Sequence, residues 1–304
     1  MMTMTTPSIG FLGTGLMGEP MALNLLAAGF PVFAWNRSPE KVGAITAAGG
    51  VACSTPAEAA SSADVLIGML SDGPISDAVL FGDGDSDHGQ GAIDALAPGS
   101  GLIVMSSVPV ETAIRQAQRC AERDVAYLDA PVSGGRKGAI KATLAIMVGG
   151  EANTFEAYQA VLSAMGRPVH VGPAGTGQQT KLANQMIVAS TIAAVAEALL
   201  FAERGGADPA KVRDALAGGF ADSPILRQHG QRMIDEDYAP GGPAKYQLKD
   251  TRTALARAEA LGLELPVARV ADALYAAMVE HGDGELDHSG VMRELRRLNS
   301  LTLR

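Results

Sequence analysis

One short string constrains this chain more than any other. Gly13-Thr14-Gly15-Leu16-Met17-Gly18 places glycine at the first, third and sixth of six positions. It follows an apolar run, Ser8–Leu12, that reads as a strand, and it opens a segment, Met17–Ala28, that reads as a helix. A strand that turns through such a loop into a helix builds the phosphate-binding corner of a βαβ unit. Gly13 permits the tight turn, Gly15 lets a pyrophosphate approach the backbone, and Gly18 lets the helix pack close to the sheet. The N–H groups around Leu16 and Met17 and the helix dipole favour the phosphate charge. The expectation is a dinucleotide site.

The rest of the N-terminal part continues the pattern. Val32–Trp35, Val65–Leu70, Gly101–Met105, Ala126–Asp129 and Ala142–Val148 are short apolar runs separated by helical stretches. Strands alternating with helices imply a mostly parallel sheet with right-handed crossovers. After Val171 the character changes. Gly172-Pro173-Ala174-Gly175-Thr176-Gly177 is a turn-rich break, and Gln179–Glu203 then reads as one long helix of about seven turns. Shorter helices follow, punctuated by Pro209, Pro224, Pro240, Pro243 and Pro266. The expected fold is therefore α/β. A Rossmann-like, doubly wound parallel sheet over residues 1–172 precedes an all-helical domain over 173–304, which serves substrate binding and oligomerisation.

Composition narrows the function. Asp and Glu outnumber Lys and Arg by 33 to 24, which argues against a nucleic-acid binder and leaves room for a local basic pocket that captures a small anion. Two cysteines, Cys53 and Cys120, make neither a disulfide framework nor a metal spacing, and no HExxH string exists, so no metal is expected. The first residues, Met1–Pro7, lack the apolar core of a secretion signal. The longest apolar run, Ile187–Leu200, is interrupted by Ser190, Thr191 and Glu197, which argues against a membrane span. A cytoplasmic protein without membrane or nucleic-acid partners is the expectation. Gly82–Gly91 carries Asp83, Asp85 and Asp87 at alternate positions, like the start of a calcium loop. The sixth place is His88 and the twelfth is Asp94 rather than Glu, so a solvated surface loop is the better reading.

The end of the second strand bears on cofactor choice. An NAD site usually places a carboxylate there to bind the ribose hydroxyls. This chain has Asn36-Arg37-Ser38. Arg37 can pair with a 2′-phosphate in a bidentate contact, and Asn36 and Ser38 can donate to the same group, which favours NADP over NAD.

Several motifs together resemble one family. They are the opening GFLGTGLMGEPMALNLLAAG, the segment Asp129-Ala130-Pro131-Val132-Ser133-Gly134-Gly135 and the segment from Gly175 to Gln185 (GTGQQTKLANQ). Lys249-Asp250, Gly262–Pro266 and Leu286-Asp287-His288-Ser289 follow in the same order. The chain resembles, nearly end to end, the β-hydroxyacid dehydrogenases, the group that contains 3-hydroxyisobutyrate dehydrogenase and tartronate semialdehyde reductase.

The resemblance implies roles. Lys181 would be the general acid/base, giving a proton to the oxygen of an aldehyde as hydride arrives and taking it back in reverse. Asn184, one turn on, would hydrogen-bond the substrate or orient Lys181. The family often has its amide one residue later, where this chain has Gln185, so both amides stay candidates. Ser133, Gly134 and Gly135 would hold a substrate carboxylate. Leu70, Ser71 and Ser107 would contact the cofactor. Lys249 would contact it or help close the cleft between the domains, with Asp250 orienting the lysine. Phe220–Leu226 and Tyr246 are candidates for the substrate pocket. The chain departs from the family at Ser106-Ser107-Val108-Pro109, where the proline comes one place early, and at Ala142, which replaces a common glycine.

The implied reaction is reversible hydride transfer between NAD(P)H and a short β-hydroxy acid or its semialdehyde, in a homodimer or homotetramer. Two other readings stay open. An imine reductase-like enzyme would share the fold but usually lacks the lysine, and a cofactor-bound interaction protein would show no turnover.

Overall fold

The computed structural model describes residues 6–82 and 91–303, so most of the acidic loop, including Asp83, Asp85, Asp87 and His88, lies outside the described residues. The chain divides into two compact units, Met1–Lys181 and Leu182–Arg304.

The first unit is built on one sheet. Its strands are β1 (Ile9–Leu12), β2 (Val32–Trp35), β3 (Val51–Ala52), β4 (Val65–Gly68), β5 (Gly101–Val104), β6 (Ala126–Asp129), β7 (Val132–Ser133), β8 (Leu144–Gly150) and β9 (Gly166–Gly172). The helices between them are α1 (Gly18–Ala27), α2 (Gly43–Ala47), α3 (Pro56–Ser61), α4 (Gly73–Phe81), α5 (Val110–Ala121), α6 (Gly135–Ile140) and α7 (Ala152–Ser163). The order β3-β2-β1-β4-β5-β6 is parallel throughout, the arrangement of a doubly wound dinucleotide fold. The strand order reverses between β1 and β4. That is the switch point where such sheets open a crevice beyond their carboxyl ends.

The apolar runs are explained by burial on both faces of the sheet. Ile9, Phe11, Val65, Ile67 and Ile103 face one core with Met21, Ala22 and Leu25 of α1. Leu12, Leu66, Leu102, Val104 and Tyr127 face the other with Val79, Leu80 and Phe81 of α4.

The far edge is the part of the sheet that is not parallel throughout. β8 runs antiparallel to both β6 and β7, while β9 is parallel to β8. The strand expected from Ala142 starts at Leu144, because Ala142 takes a left-handed turn with φ 53°. That is the conformation glycine adopts freely, which accounts for the glycine common at this place in the family.

The second unit is helical: most of α8 (Thr176–Arg204), then α9 (Pro209–Leu216), α10 (Pro224–Asp235), α11 (Ala244–Ala260), α12 (Pro266–Glu280) and α13 (Val291–Leu298). Prolines 209, 224 and 266 sit at the first turns, where a missing N–H costs nothing. Asp208 and Ser223 cap two of these helices through their side chains. The core is one cluster in which Ala189, Ile192, Val195, Ala196 and Leu199 of α8 meet Leu248, Tyr275, Met278, Val291 and Leu295.

The 29-residue α8 begins three residues before the helix expected over Gln179–Glu203 and ends one residue after it. By length and composition alone it could cross a membrane. Its packing into this core is that of a core helix in a helical bundle.

Candidate active site

The nucleotide corner is shaped by backbone crowding. A Cβ on Gly13 would stand 2.2 Å from the Met69 carbonyl oxygen, and its φ is 95°. A Cβ on Gly18 would stand 1.9 Å from the Gly13 carbonyl oxygen. Neither position admits a side chain. Gly15 is different: nothing lies within 4 Å of its Cβ position. Its bareness serves the space in front of the loop rather than the packing behind it. Among the described residues no side chain caps α1, and the buried Thr14 hydroxyl has no partner. An open glycine, an uncapped helix start and an orphaned hydroxyl together fit a bound pyrophosphate.

Asn36 braces this corner. Its Oδ1 accepts from the Thr14 N–H at 3.1 Å, and its Nδ2 donates to the Ser38 carbonyl at 3.1 Å. Both ends of the amide brace the loop. Arg37 is exposed beside it and makes no ion pair among the described residues.

The other expected contacts also follow strand ends. Leu70 is half-buried and Ser71 exposed after β4, and Ser107 is half-buried after β5. The neighbouring Ser106 is the residue that ties these ends together, its Oγ accepting from the Leu70 N–H at 2.6 Å.

Two buried groups hold the start of α8, and their roles were not read from the sequence. Asp129, at the end of β6, is fully buried, and its oxygens accept from the Gly175 N–H at 2.7 Å and the Gln178 N–H at 2.8 Å. It caps the helix from a different strand. Burial lifts its pKa to about 6 against the pull of these N–H bonds. Gly177 is obligatory here, since its Cβ would stand 2.4 Å from the Asp129 carbonyl oxygen. Gln178, 1% exposed, then grips the segment after β5. Its Oε1 accepts from the Val108 N–H at 3.1 Å and its Nε2 donates to the Ser106 carbonyl at 2.8 Å. A carboxylate before a run of small residues and an amide in a helix's first turn were the available signals.

Lys181 lies one turn beyond Gln178 and is half-buried. Ser133 ends β7 half-buried, paired with Ala145. Gly134 and Gly135 follow with φ 130° and 60°, both exposed, and the Gly135 Cβ position is open. Only glycine takes such a path without strain.

In the helical unit, Asn184 and Gln185 follow on α8 and are half-buried. Asp250 of α11 bonds Gln185 at 2.6 Å, which corrects the expectation that it orients Lys249. Lys249 itself is exposed. Phe220 is fully exposed and Tyr246 mostly so.

The tail motif explains how α11 is placed. Asp287 is buried and accepts from the N–H groups of Gly241, Gly242 and Ser289 and from the Ser289 hydroxyl. His288 shares its Nε2 with His229 at 3.1 Å and its Nδ1 with the Gln247 Oε1 at 3.3 Å. His229, Asp287 and His288 are close enough to hold a metal ion, but the Asp287 oxygens are saturated by these donors and by Arg232.

Burial holds the His288 pKa down at about 4, against the pull of Asp287. The folded protein keeps this imidazole neutral where an unfolded chain takes a proton near 6.5. Stability is therefore lost as pH falls from about 6.5 toward 4. His288→Gln is expected to lose about 2 kcal/mol less than the parent between pH 7 and 4.5, read from urea midpoints; equal losses contradict the assignment.

The comparisons with known proteins agree with this geometry. Residues 8–174 match the family described as the NAD binding domain of 6-phosphogluconate dehydrogenase. Residues 175–295 match the NAD-binding domain of NADP-dependent 3-hydroxyisobutyrate dehydrogenase. The chain is 41% identical over 289 residues to a 2-hydroxy-3-oxopropionate reductase of Escherichia coli K12, covering 94% of this chain and 96% of that one. It is 32% identical to glyoxylate/succinic semialdehyde reductase 1 of Arabidopsis thaliana, covering 95% and 98%. A structure of Mycobacterium tuberculosis 3-hydroxyisobutyrate dehydrogenase with L-serine superimposes with a TM-score of 0.85 at 31% identity, covering 96% and 100%. With both family models and these full-length relatives in agreement, the chain belongs to the β-hydroxyacid dehydrogenase family of NAD(P)-dependent oxidoreductases.

Proposed function

We propose that the chain reduces a short carboxylated semialdehyde to its β-hydroxy acid, reversibly and with a preference for NADP. Tartronate semialdehyde is the leading substrate and the 3-hydroxyisobutyrate pair the next. The observation that carries the reading is Lys181, half-buried one turn into a helix whose start is capped by Asp129 and bound to the end of β5 by Gln178. A lysine near a helix N-terminus works against the dipole, which supports a chemical role for it there.

When bound, the nicotinamide cofactor supplies or accepts the hydride. Gly13, Gly15 and Gly18, with the N–H groups of Leu16 and Met17, hold the pyrophosphate. Ser133 Oγ and the N–H groups of Gly134 and Gly135 hold the substrate carboxylate, which orients the aldehyde. Lys181 Nζ gives a proton to the carbonyl oxygen as negative charge develops there and takes it from the alcohol in reverse. An initial-rate panel of tartronate, methylmalonate and succinate semialdehydes tests the reading. Turnover of cyclic imines alone would transfer the chain to an imine reductase reading; a Pseudomonas imine reductase with a TM-score of 0.58 and 21% identity shares only the fold.

Arg37 supports the NADP preference, as an exposed guanidinium where NAD sites carry a carboxylate. Arg37→Asp is expected to weaken NADPH binding by roughly 10- to 100-fold and NADH binding far less, measured by fluorescence titration. Equal losses for both would remove the preference. The helical unit supports a homodimer or homotetramer. Ile187 and Phe201 of α8 are 65% and 84% exposed, and Val267 and Val270 of α12 are 68% and 62% exposed, side chains that a second copy would cover.

A further inference from the structure

We propose that Asp250 is a positioning residue that acts through Gln185 to fix which end of the Asn184 amide is offered beside Lys181. The inference rests on the proton-transfer role given above to Lys181.

Donors and acceptors alternate along a chain of three side chains. Asp250 Oδ2 lies 2.6 Å from Gln185 Nε2, and an ionised carboxylate can only accept. The nitrogen end of Gln185 must therefore face it, which turns Oε1 the other way. That oxygen lies 2.8 Å from Asn184 Nδ2. An oxygen acceptor in turn requires the nitrogen end of Asn184. Each amide has two orientations, and the carboxylate selects one of them twice over. The Asn184 Oδ1 is the end of this chain turned away from Gln185.

Gln185 is held from a second direction as well. Gln247, also on α11 and 3% exposed, donates from Nε2 to the Gln185 backbone carbonyl at 3.3 Å. Gln247 is itself oriented by His288, whose Nδ1 lies 3.3 Å from its Oε1. The turn of α8 that carries Asn184 and Gln185 is thus gripped by α11 at one side chain and one carbonyl.

The consequence is chemical. Asn184 follows Lys181 by three residues, on the same face of α8. An acceptor there suits a donor: the Lys181 ammonium, or the hydroxyl of the alcohol form of the substrate. With the amide reversed, its N–H groups would face the ammonium and favour neither. The carboxylate therefore contributes through polarity rather than by contact with substrate.

Three variants test this. Asp250→Ala removes the acceptor. Asp250→Asn keeps an oxygen that can accept from Gln185. Gln185→Leu breaks the chain one link later. Asp250→Ala is expected to lower kcat roughly 10- to 50-fold with the KM for cofactor unchanged, while Asp250→Asn stays within about threefold of the parent. In the Gln185→Leu background, Asp250→Ala should cost less than about twofold more, since the link it acts through is gone.

The proposal is overturned if Asp250→Ala is within about twofold of the parent, if Asp250→Asn is as damaging as Asp250→Ala, or if the full loss persists in the Gln185→Leu background. A readout without turnover keeps the outcomes separate. In ¹⁵N-labelled protein, Asp250→Ala should move the side-chain amide resonances of both Gln185 and Asn184, and Asp250→Asn should leave that of Asn184 in place. If the parent turns over no hydroxy acid, the functional reading fails, and the resonances alone decide the network: unmoved Asn184 signals in Asp250→Ala overturn it.

Discussion

Lys181→Ala is expected to lower kcat by about 10²- to 10⁴-fold, the usual worth of a positioned proton donor. The dissociation constant for NADPH should stay within about threefold, because the phosphate corner at Gly13–Gly18 and the brace at Asn36 are built from other residues. Lys181→Arg separates charge from proton transfer. It keeps a cation at the same place, but a guanidinium does not release its proton near neutral pH. If Lys181 is the acid/base, the arginine variant should be nearly as slow as the alanine variant. If the lysine serves only as a counter-charge, arginine should restore most of the rate. Stopped-flow measurement of a single turnover distinguishes these outcomes from a change in product release.

Asp129→Ala should be the most destabilising single change near the site. It strips two buried N–H groups, of Gly175 and Gln178, of their acceptor. Each unsatisfied buried donor costs about 1–3 kcal/mol. Part of that is offset, because the native carboxylate is itself held in an unfavourable place, as its pKa of about 6 records. The net expectation is a loss of about 3 kcal/mol, read from denaturant unfolding at pH 7.

The sign of the pH dependence is set by the raised pKa. The folded protein takes up a proton on Asp129 near pH 6, whereas an unfolded aspartate does so near 3.9. The carboxylate's charge therefore costs stability above pH 6, and that cost fades as pH falls toward 4. Asp129→Ala should lose this pH term together with the cap, so the difference between parent and variant should widen as pH falls through this window. A variant as stable as the parent would mean that water or a rearranged backbone replaces the cap.

Much of the fold was legible because its signals are local. The runs at Ile9–Leu12, Val65–Gly68 and Gly101–Val104 are continuous because helices cover both faces of the sheet, and the glycine string marks where the first turn lies. Edge strands carry no such signal. β9 alternates Arg167, Val169 and Val171 with half-buried neighbours, and β3 is two exposed residues, so neither stands out from a loop. The left-handed turn at Ala142 was hidden because alanine does not advertise a positive φ.

The site divides in the same way. Lys181, Ser133 and the glycines could be singled out because they sit in the compact motifs that carry the family resemblance. Asp129, Gln178 and the partnership of Gln185 with Asp250 are pairings between residues 46 to 72 positions apart. Spacing along the chain carries no information about such pairs. Folding alone reveals that Asp250 faces Gln185 rather than Lys249, and that Asn36 serves its own loop.

In the proposed reaction the site holds a carboxylated aldehyde while Lys181 protonates its oxygen. The most direct test compares kcat/KM for NADPH-dependent reduction of tartronate semialdehyde with that for glycolaldehyde, the same aldehyde without its carboxylate. The account predicts a preference for the carboxylated compound of about 100-fold or more, the scale of removing a charge-assisted hydrogen bond from a binding site. That preference should shrink when Ser133 is replaced by alanine. Equal rates for the two aldehydes, or turnover of cyclic imines with none of either aldehyde, would contradict it.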